Sequence, residues 1–194
     1  MQDEAWELPE EELINSYEEY CEIEDRVEII DGVVYAMASP VDIHQDIAGG
    51  AYSQLMLQLK GKRCHAYIAP FDVKLPVRSI TRRDMVSLFT IVQPDVFIVC
   101  DPSKNKGSYI EGAPDFIIEV LSDSTRSKDT LIKLNKYALV GVKEYWMIDP
   151  INKTVNIAVL GANNYYDFEL IKAEGKVPLR TQKGLIIDFD FIFS

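Results

Sequence analysis

Residues 114–150 read PDFIIEVLSDSTRSKDTLIKLNKYALVGVKEYWMIDP. The run FIIEVL is apolar at both parities, with Glu119 set into it and Asp115 just ahead. A strand of that pattern is central and covered on both faces. Ser122, Asp123 and Ser124 offer N-caps for a helix over about 125–140, with Leu131, Leu134 and Ala138 on one side and Gly141 at its end. KEYWMIDP is a second apolar strand, stopped by Pro150. Strand, helix and strand at this spacing make a right-handed crossover between parallel strands. The stretch predicts a mixed α/β domain.

Working outward, RVEIIDGVVYAMA (26–38) places two β-branched runs around Asp31-Gly32, a hairpin signal. A helix is expected at about 9–20, with Pro9 near its start and acids in its first turn. Ile43, Ile47, Ala51, Leu55 and Leu59 repeat every four residues, which predicts a helix over 41–60 stopped at Gly61. HAYIAP and FDVKLPV (65–77) read as strand segments. SITRRDMVSLFT (79–90) reads as a loop or excursion and is locally basic. IVQPDVFIVC (91–100) reads as one strand, and SKNKGSYIEGAP (103–114) as a polar connection. Beyond 153, TVNIAVL, YYDFELI and LIIDFDFIF read as short strands or hairpin pieces with room for a final helical turn. The expectation is one domain over 1–194, with its core at about 24–190.

The chain of 194 residues carries a formal net charge of −11, which argues against bulk attraction to nucleic acid or anionic lipid. It does not argue against a local nucleic-acid site, and surplus carboxylates suit divalent cations. Cys21, Cys64 and Cys100 are odd in number and far apart, so free thiols in a reducing, cytoplasmic setting are expected, with no disulfide frame or zinc site. No apolar run is long enough to span a membrane, and the acidic N-terminus lacks a signal pattern. Walker, GxGxxG and GxSxG motifs are absent.

A buried, unpaired carboxylate is costly, so Glu119 needs a partner. Asp95 follows Pro94 at the entrance to another strand. Two carboxylates from neighbouring strands, with the Val120 carbonyl as a third donor, suffice for Mg2+, which keeps several waters; Mn2+ can substitute. Singly, Asp95 also fits a turn residue and Glu119 a buried salt bridge. Lys133 follows Asp129 by one turn and precedes Tyr137 by one turn. It can orient a water or steady developing charge, or form an exposed i,i+4 pair with Asp129. Glu28, in apolar company on the hairpin, can complete the metal site, hold Lys133, or face solvent. His44 opens its helix as a phosphate contact, a cap or an ordinary exposed histidine.

Together VEIIDGVVYAM, the His44-Gln45 helix, FDVKL, VQPDVFIV, GAPDFIIEVLSDSTRSKD, the Lys133 and Tyr137 pair and GVKEYWMIDP resemble the Uma-two family of the PD-(D/E)XK restriction-endonuclease-like superfamily. The resemblance covers about residues 10–190. It implies a central mixed β-sheet flanked by helices with additional hairpins, Mg2+-dependent phosphodiester cleavage of nucleic acid, DNA first, and a homodimer. Asp95 matches the acid of the PD motif, Glu119 the second acid and Glu28 an early acidic position. Leu121 stands where the superfamily's lysine is expected, and Lys133 matches a lysine displaced onto the following helix. Tyr137 and Asp149 match motif positions with structural or supporting roles, and Asp115 reads as structural. The segment 78–90 is longer than the pattern. Lys60, Lys62, Arg63, Arg78, Arg82 and Arg83 are candidate nucleic-acid contacts, whose affinity would fall with salt. The rival reading is a nuclease-fold module that binds or regulates without cutting.

Overall fold

The computed structural model describes residues 13–76, 78–80, 85–87, 89–122 and 125–194. Chain order begins with α1 (Tyr17–Cys21), the hairpin strands β1 (Val27–Ile30) and β2 (Val33–Ala36), and the long helix α2 (Asp42–Leu59). Strands β3 (His65–Ile68), β4 (Asp72–Lys74), β5 (Arg78–Ile80), β6 (Met85–Ser87), β7 (Ile91–Val92), β8 (Val96–Val99) and β9 (Tyr109–Glu111) follow. β10 (Phe116–Val120) leads through a π-helical turn (Lys128–Lys133) and α3 (Leu134–Val140) to β11 (Glu144–Asp149). The chain closes with β12 (Thr154–Leu160), β13 (Tyr166–Lys172), β14 (Lys176–Pro178), β15 (Ile186–Asp188) and α4 (Phe189–Ile192).

The predicted crossover is present. β10 and β11 pair in parallel, Phe116 opposite Glu144 through Val120 opposite Ile148. They form the centre of a sheet ordered β13-β12-β11-β10-β8-β3, whose other pairings are antiparallel. Because successive strand residues face opposite ways, Phe116, Ile118 and Val120 pack toward Ile47, Ala51 and Leu55 of α2. Ile117 and Leu121 pack on the opposite face, toward Tyr137 of α3. Glu119 shares the parity of Ile117 and Leu121, so it points at the segment that carries Lys133 and Tyr137.

A second sheet is ordered β2-β1-β7-β4-β9. Its hairpin turns at Asp31 (φ 54°) and Gly32 (φ 81°), the left-handed pair that a two-residue turn requires. The run 91–100 is not one strand. Its β7 half joins the second sheet and its β8 half joins the first. Pro94 stands between them and has no N–H for a ladder. The chain therefore crosses from sheet to sheet over Gln93, Pro94 and Asp95.

Other expectations are corrected. The N-terminal helix begins at Tyr17, because Ser16 caps it by accepting the Glu19 N–H; residues 9–12 lie outside the described residues. Segment 79–90, expected as a loop or excursion, carries part of the antiparallel pair β5–β6, with residues 81–84 and 88 outside the described residues. The polar connection 103–114 contains β9, which pairs in parallel with β4. Ile43 is exposed, and Ala48 takes its place in the stripe of α2. Cys64 and Cys100 form a disulfide. They flank the pair His65 opposite Val99, so the β3–β8 register brings them face to face. Sequence separation hid this, and the argument from cysteines to a reducing compartment is lost. Cys21 is free and exposed.

Two glutamines of α2 dock β15. Gln58 bonds the Ile186 N–H and carbonyl at 2.9 and 2.7 Å. Gln54 does the same for Asp188 at 2.8 and 3.2 Å. Among the described residues, no helix is long and apolar enough to cross a membrane.

Candidate active site

The sheet crossing frees backbone N–H groups that find carboxylates. The Gln93 N–H donates to Glu28 Oε1 at 3.0 Å, and the Asp95 N–H lies 3.3 Å from Glu119 Oε2. In return, the Val120 N–H donates to Asp95 Oδ2 at 2.7 Å. Asp95 and Glu119 are thus interlocked through each other's backbone. His44, near the start of α2, places Nε2 3.1 Å from Asp95 Oδ2.

Lys133 is the centre of the site. Its Nζ lies 2.7 Å from Glu28 Oε1, 2.7 Å from Glu119 Oε1 and 3.4 Å from Asp129 Oδ1. The Tyr137 hydroxyl donates to the same Glu119 oxygen at 3.0 Å. Lys128 holds the other Glu28 oxygen at 2.6 Å. Glu28 is fully buried, and Glu119, Asp129 and Lys133 are each only 3% exposed. The exposed i,i+4 pair is therefore overturned for Asp129 and Lys133. The π-helical turn explains why two lysines five positions apart both reach Glu28, since its i→i+5 bonding puts them one turn apart.

Burial alone would push the Lys133 ammonium down, but Glu119, Glu28 and Asp129 together outweigh it and hold it well above the usual lysine range. Burial pushes Glu28 up, and Lys133 and Lys128 overcome that and keep it below the usual carboxylate range. Glu119 goes the other way. Burial lifts it, Lys133 only partly compensates, and Asp129, Asp95 and Glu28 lift it further. The two partners of one ion pair thus shift in directions that disagree about its strength. Sharing explains this: Lys133 serves three carboxylates, so each receives part of one positive charge. His44 is pushed down by burial but raised overall by Asp95.

Apart from Tyr137, which stands behind Glu119, these groups line one cleft of about 450 Å3. Four carboxylates (Glu28, Asp95, Glu119, Asp129) share the cleft with two lysines (Lys128, Lys133) and Arg26, so carboxylates outnumber these cations by one. Excess carboxylate of this kind suits a cation. The accessible donors are hard oxygens from Asp95 and Glu119. Among the described residues no group of three or more His, Cys, Asp or Glu could hold a metal ion; Mg2+ is commonly held by one or two carboxylates plus water and substrate phosphate, and Asp95 and Glu119 offer such a pair. The residues fit the ion.

The structure brings Asp95, Glu119, Val120, Lys133 and Glu28 to this cleft. Glu28 pairs with Lys128 and Lys133. Asp115 bonds the Cys100 N–H at 2.8 Å and Lys143 at 3.1 Å, away from the cleft. Asp149 caps the turn after β11 through the N–H groups of Ile151 and Asn152. Lys128 and Asp129 escaped the sequence reading as site members. The only signal was their spacing to Lys133, which means little until the turn is known to be π-helical. Lys60, Lys62 and Arg63 sit at the far end of α2, roughly 24 Å along the axis from His44 at 1.5 Å per residue.

A mixed sheet that presents interlocked carboxylates at a strand crossing, with a buried lysine behind them, defines a restriction-endonuclease-like protein. The chain belongs to the Uma2 family, described as "Putative restriction endonuclease", whose model matches residues 14–188. The crystal structure of a "putative nuclease belonging to DUF820" from Anabaena variabilis is similar with a TM-score of 0.64 and 19% identity, over 91% of this chain and 96% of that one. The protein slr1290 of Synechocystis is 31% identical over 127 residues, 63% of this chain. The match spans 62% of that relative's length.

Proposed function

We propose that this protein is a Mg2+-dependent endonuclease that hydrolyses phosphodiester bonds of nucleic acid, with DNA as the first candidate. The observation that carries the reading is the pair Asp95 and Glu119, interlocked through each other's backbone in a cleft where carboxylates outnumber lysine and arginine. Asp95, Glu119 and the Val120 carbonyl would hold the ion. Bound there, Mg2+ supplies Lewis-acid polarisation of the phosphate and a water of lowered pKa.

The chain's own residues set the geometry. Lys133 donates a hydrogen bond to Glu119 and lies within ion-pair distance of Glu28 and Asp129. It therefore acts as a fixed positive charge behind Glu119, and offers no free lone pair as a base. Tyr137 holds the same Glu119 oxygen and leaves the other turned toward Asp95. His44 fixes Asp95 from the α2 side. For the homodimer that the family resemblance implies, β13 ends its sheet and exposes Phe168 and Leu170.

Purified protein with Mg2+ or Mn2+ is expected to nick plasmid DNA, and calorimetry to show binding of Mn2+. Asp95→Asn and Glu119→Gln are expected to lose both. A folded wild-type protein that binds no metal and cuts neither DNA nor RNA would leave the binding-module reading in its place.

A further inference from the structure

Arg26 stands one residue ahead of β1 and lines the cleft. Its Nε donates to Gln93 Oε1 at 2.8 Å. Gln93 is itself held on every side. Its Nε2 donates to Asp72 Oδ1 at 2.9 Å and lies 3.3 Å from the Tyr20 hydroxyl, which also donates to Asp72. Its backbone N–H belongs to Glu28. The glutamine is buried and cannot swing without breaking this set.

Among the described residues no carboxylate pairs with Arg26, although the chain has 31 acids and 20 lysines and arginines. The cleft's two lysines are both neutralised, Lys128 by Glu28 and Lys133 by three acids. Arg26 is thus the cleft's arginine or lysine without a carboxylate partner among the described residues. A guanidinium tied at Nε still presents Nη1 and Nη2, a planar fork that matches two oxygens of a phosphate. Two positions after Gln93 the same strand crossing carries Asp95, so the fork and the carboxylate pair are fixed to one rigid piece of backbone.

We infer that Arg26 grips a backbone phosphate of the nucleic-acid strand lying in the cleft, and that Gln93 is its positioning residue. The inference rests on the nuclease reading and names the contact through which that site takes its substrate. It displaces Lys60, Lys62 and Arg63, which lie at the other end of α2.

The test is anisotropy of fluorescein-labelled DNA, duplex and single-stranded, with Ca2+ replacing Mg2+, across a salt series. Cleavage in Mg2+ gives kcat and KM. Arg26→Gln should weaken binding on the order of tenfold, the worth of a charge-assisted hydrogen bond. It should also flatten the slope of log affinity against log salt by about 0.9 for duplex or 0.7 for single strands, the value of one phosphate contact. KM should rise while kcat holds. Arg26→Lys should restore the slope and only part of the affinity. Gln93→Leu, which keeps the charge and frees the fork, should keep the slope and lose affinity. Lys62→Ala should change none of these. The inference is overturned if wild type binds and cuts while Arg26→Gln matches it in affinity and slope, or if Lys62→Ala takes the loss instead. If wild type neither binds nor cuts, the nuclease reading falls and this inference with it.

Discussion

Lys133 lies within ion-pair distance of three carboxylates, and all four groups are buried. Removing one partner of such a set leaves the others charged in a low-dielectric interior, which costs far more than the pair contributes. Lys133→Met keeps the volume and removes the charge. Lys128 still serves Glu28, but Glu119 loses its cation. Urea unfolding should show a loss of about 3–5 kcal/mol. The double variant Lys133→Met with Glu119→Gln should recover part of it, because Tyr137 can still donate to the amide oxygen. A single variant that costs under about 1 kcal/mol, the range of exposed pairs, would mean that Lys133 faces water. At this scale Asp95, Glu119 and Lys133 were legible in the sequence, because a charge in an apolar run asks for partners. The hold of His44 on Asp95 was not, because one histidine near a helix start fits several roles equally.

The π-helical turn between β10 and α3 is what aims two lysines at one glutamate. Its extra residue shifts everything before Lys133 by roughly a quarter turn relative to an α-helix. Deleting Thr130, whose hydroxyl bonds the Arg126 carbonyl at 2.7 Å, should let an α-helix form there. Circular dichroism should keep its overall form, while metal-dependent cleavage is lost and Lys128 no longer reaches Glu28. Retained activity in a folded deletion variant would remove the turn from the site's machinery. Sequence periodicity found the helix but not this turn, since one added residue leaves the apolar stripe almost unchanged. The hairpin at Asp31-Gly32 and the parallel pair around Glu119 were legible because turn chemistry and strand patterning agree there. The split of 91–100 was not: Gln93-Pro94 reads as a small interruption until the two sheets it serves are known.

On the scale of the whole molecule, two sheets are joined where the chain crosses over Gln93, Pro94 and Asp95, and the cleft lies along their seam. The net charge of −11 repels a polyanion, and the cleft has its own excess of carboxylate, so a nucleic acid would be admitted at the seam only where a divalent cation and Arg26 offset that charge. The surface is shaped by a second kind of exclusion. β14 and β15 form a sheet of two strands, and an open strand edge invites another chain to pair with it. Gln54 and Gln58 occupy the outward N–H and carbonyl groups of Ile186 and Asp188. They serve as a counterfeit neighbouring strand made of side-chain amides. Gln54→Ala with Gln58→Ala should lower the melting temperature and, in light scattering, give association that grows with protein concentration. An unchanged monomer-to-oligomer balance in that variant would show the edge to be protected by other means. What docks the final strand to α2 is then also a defence against self-assembly, written in two glutamines one helical turn apart.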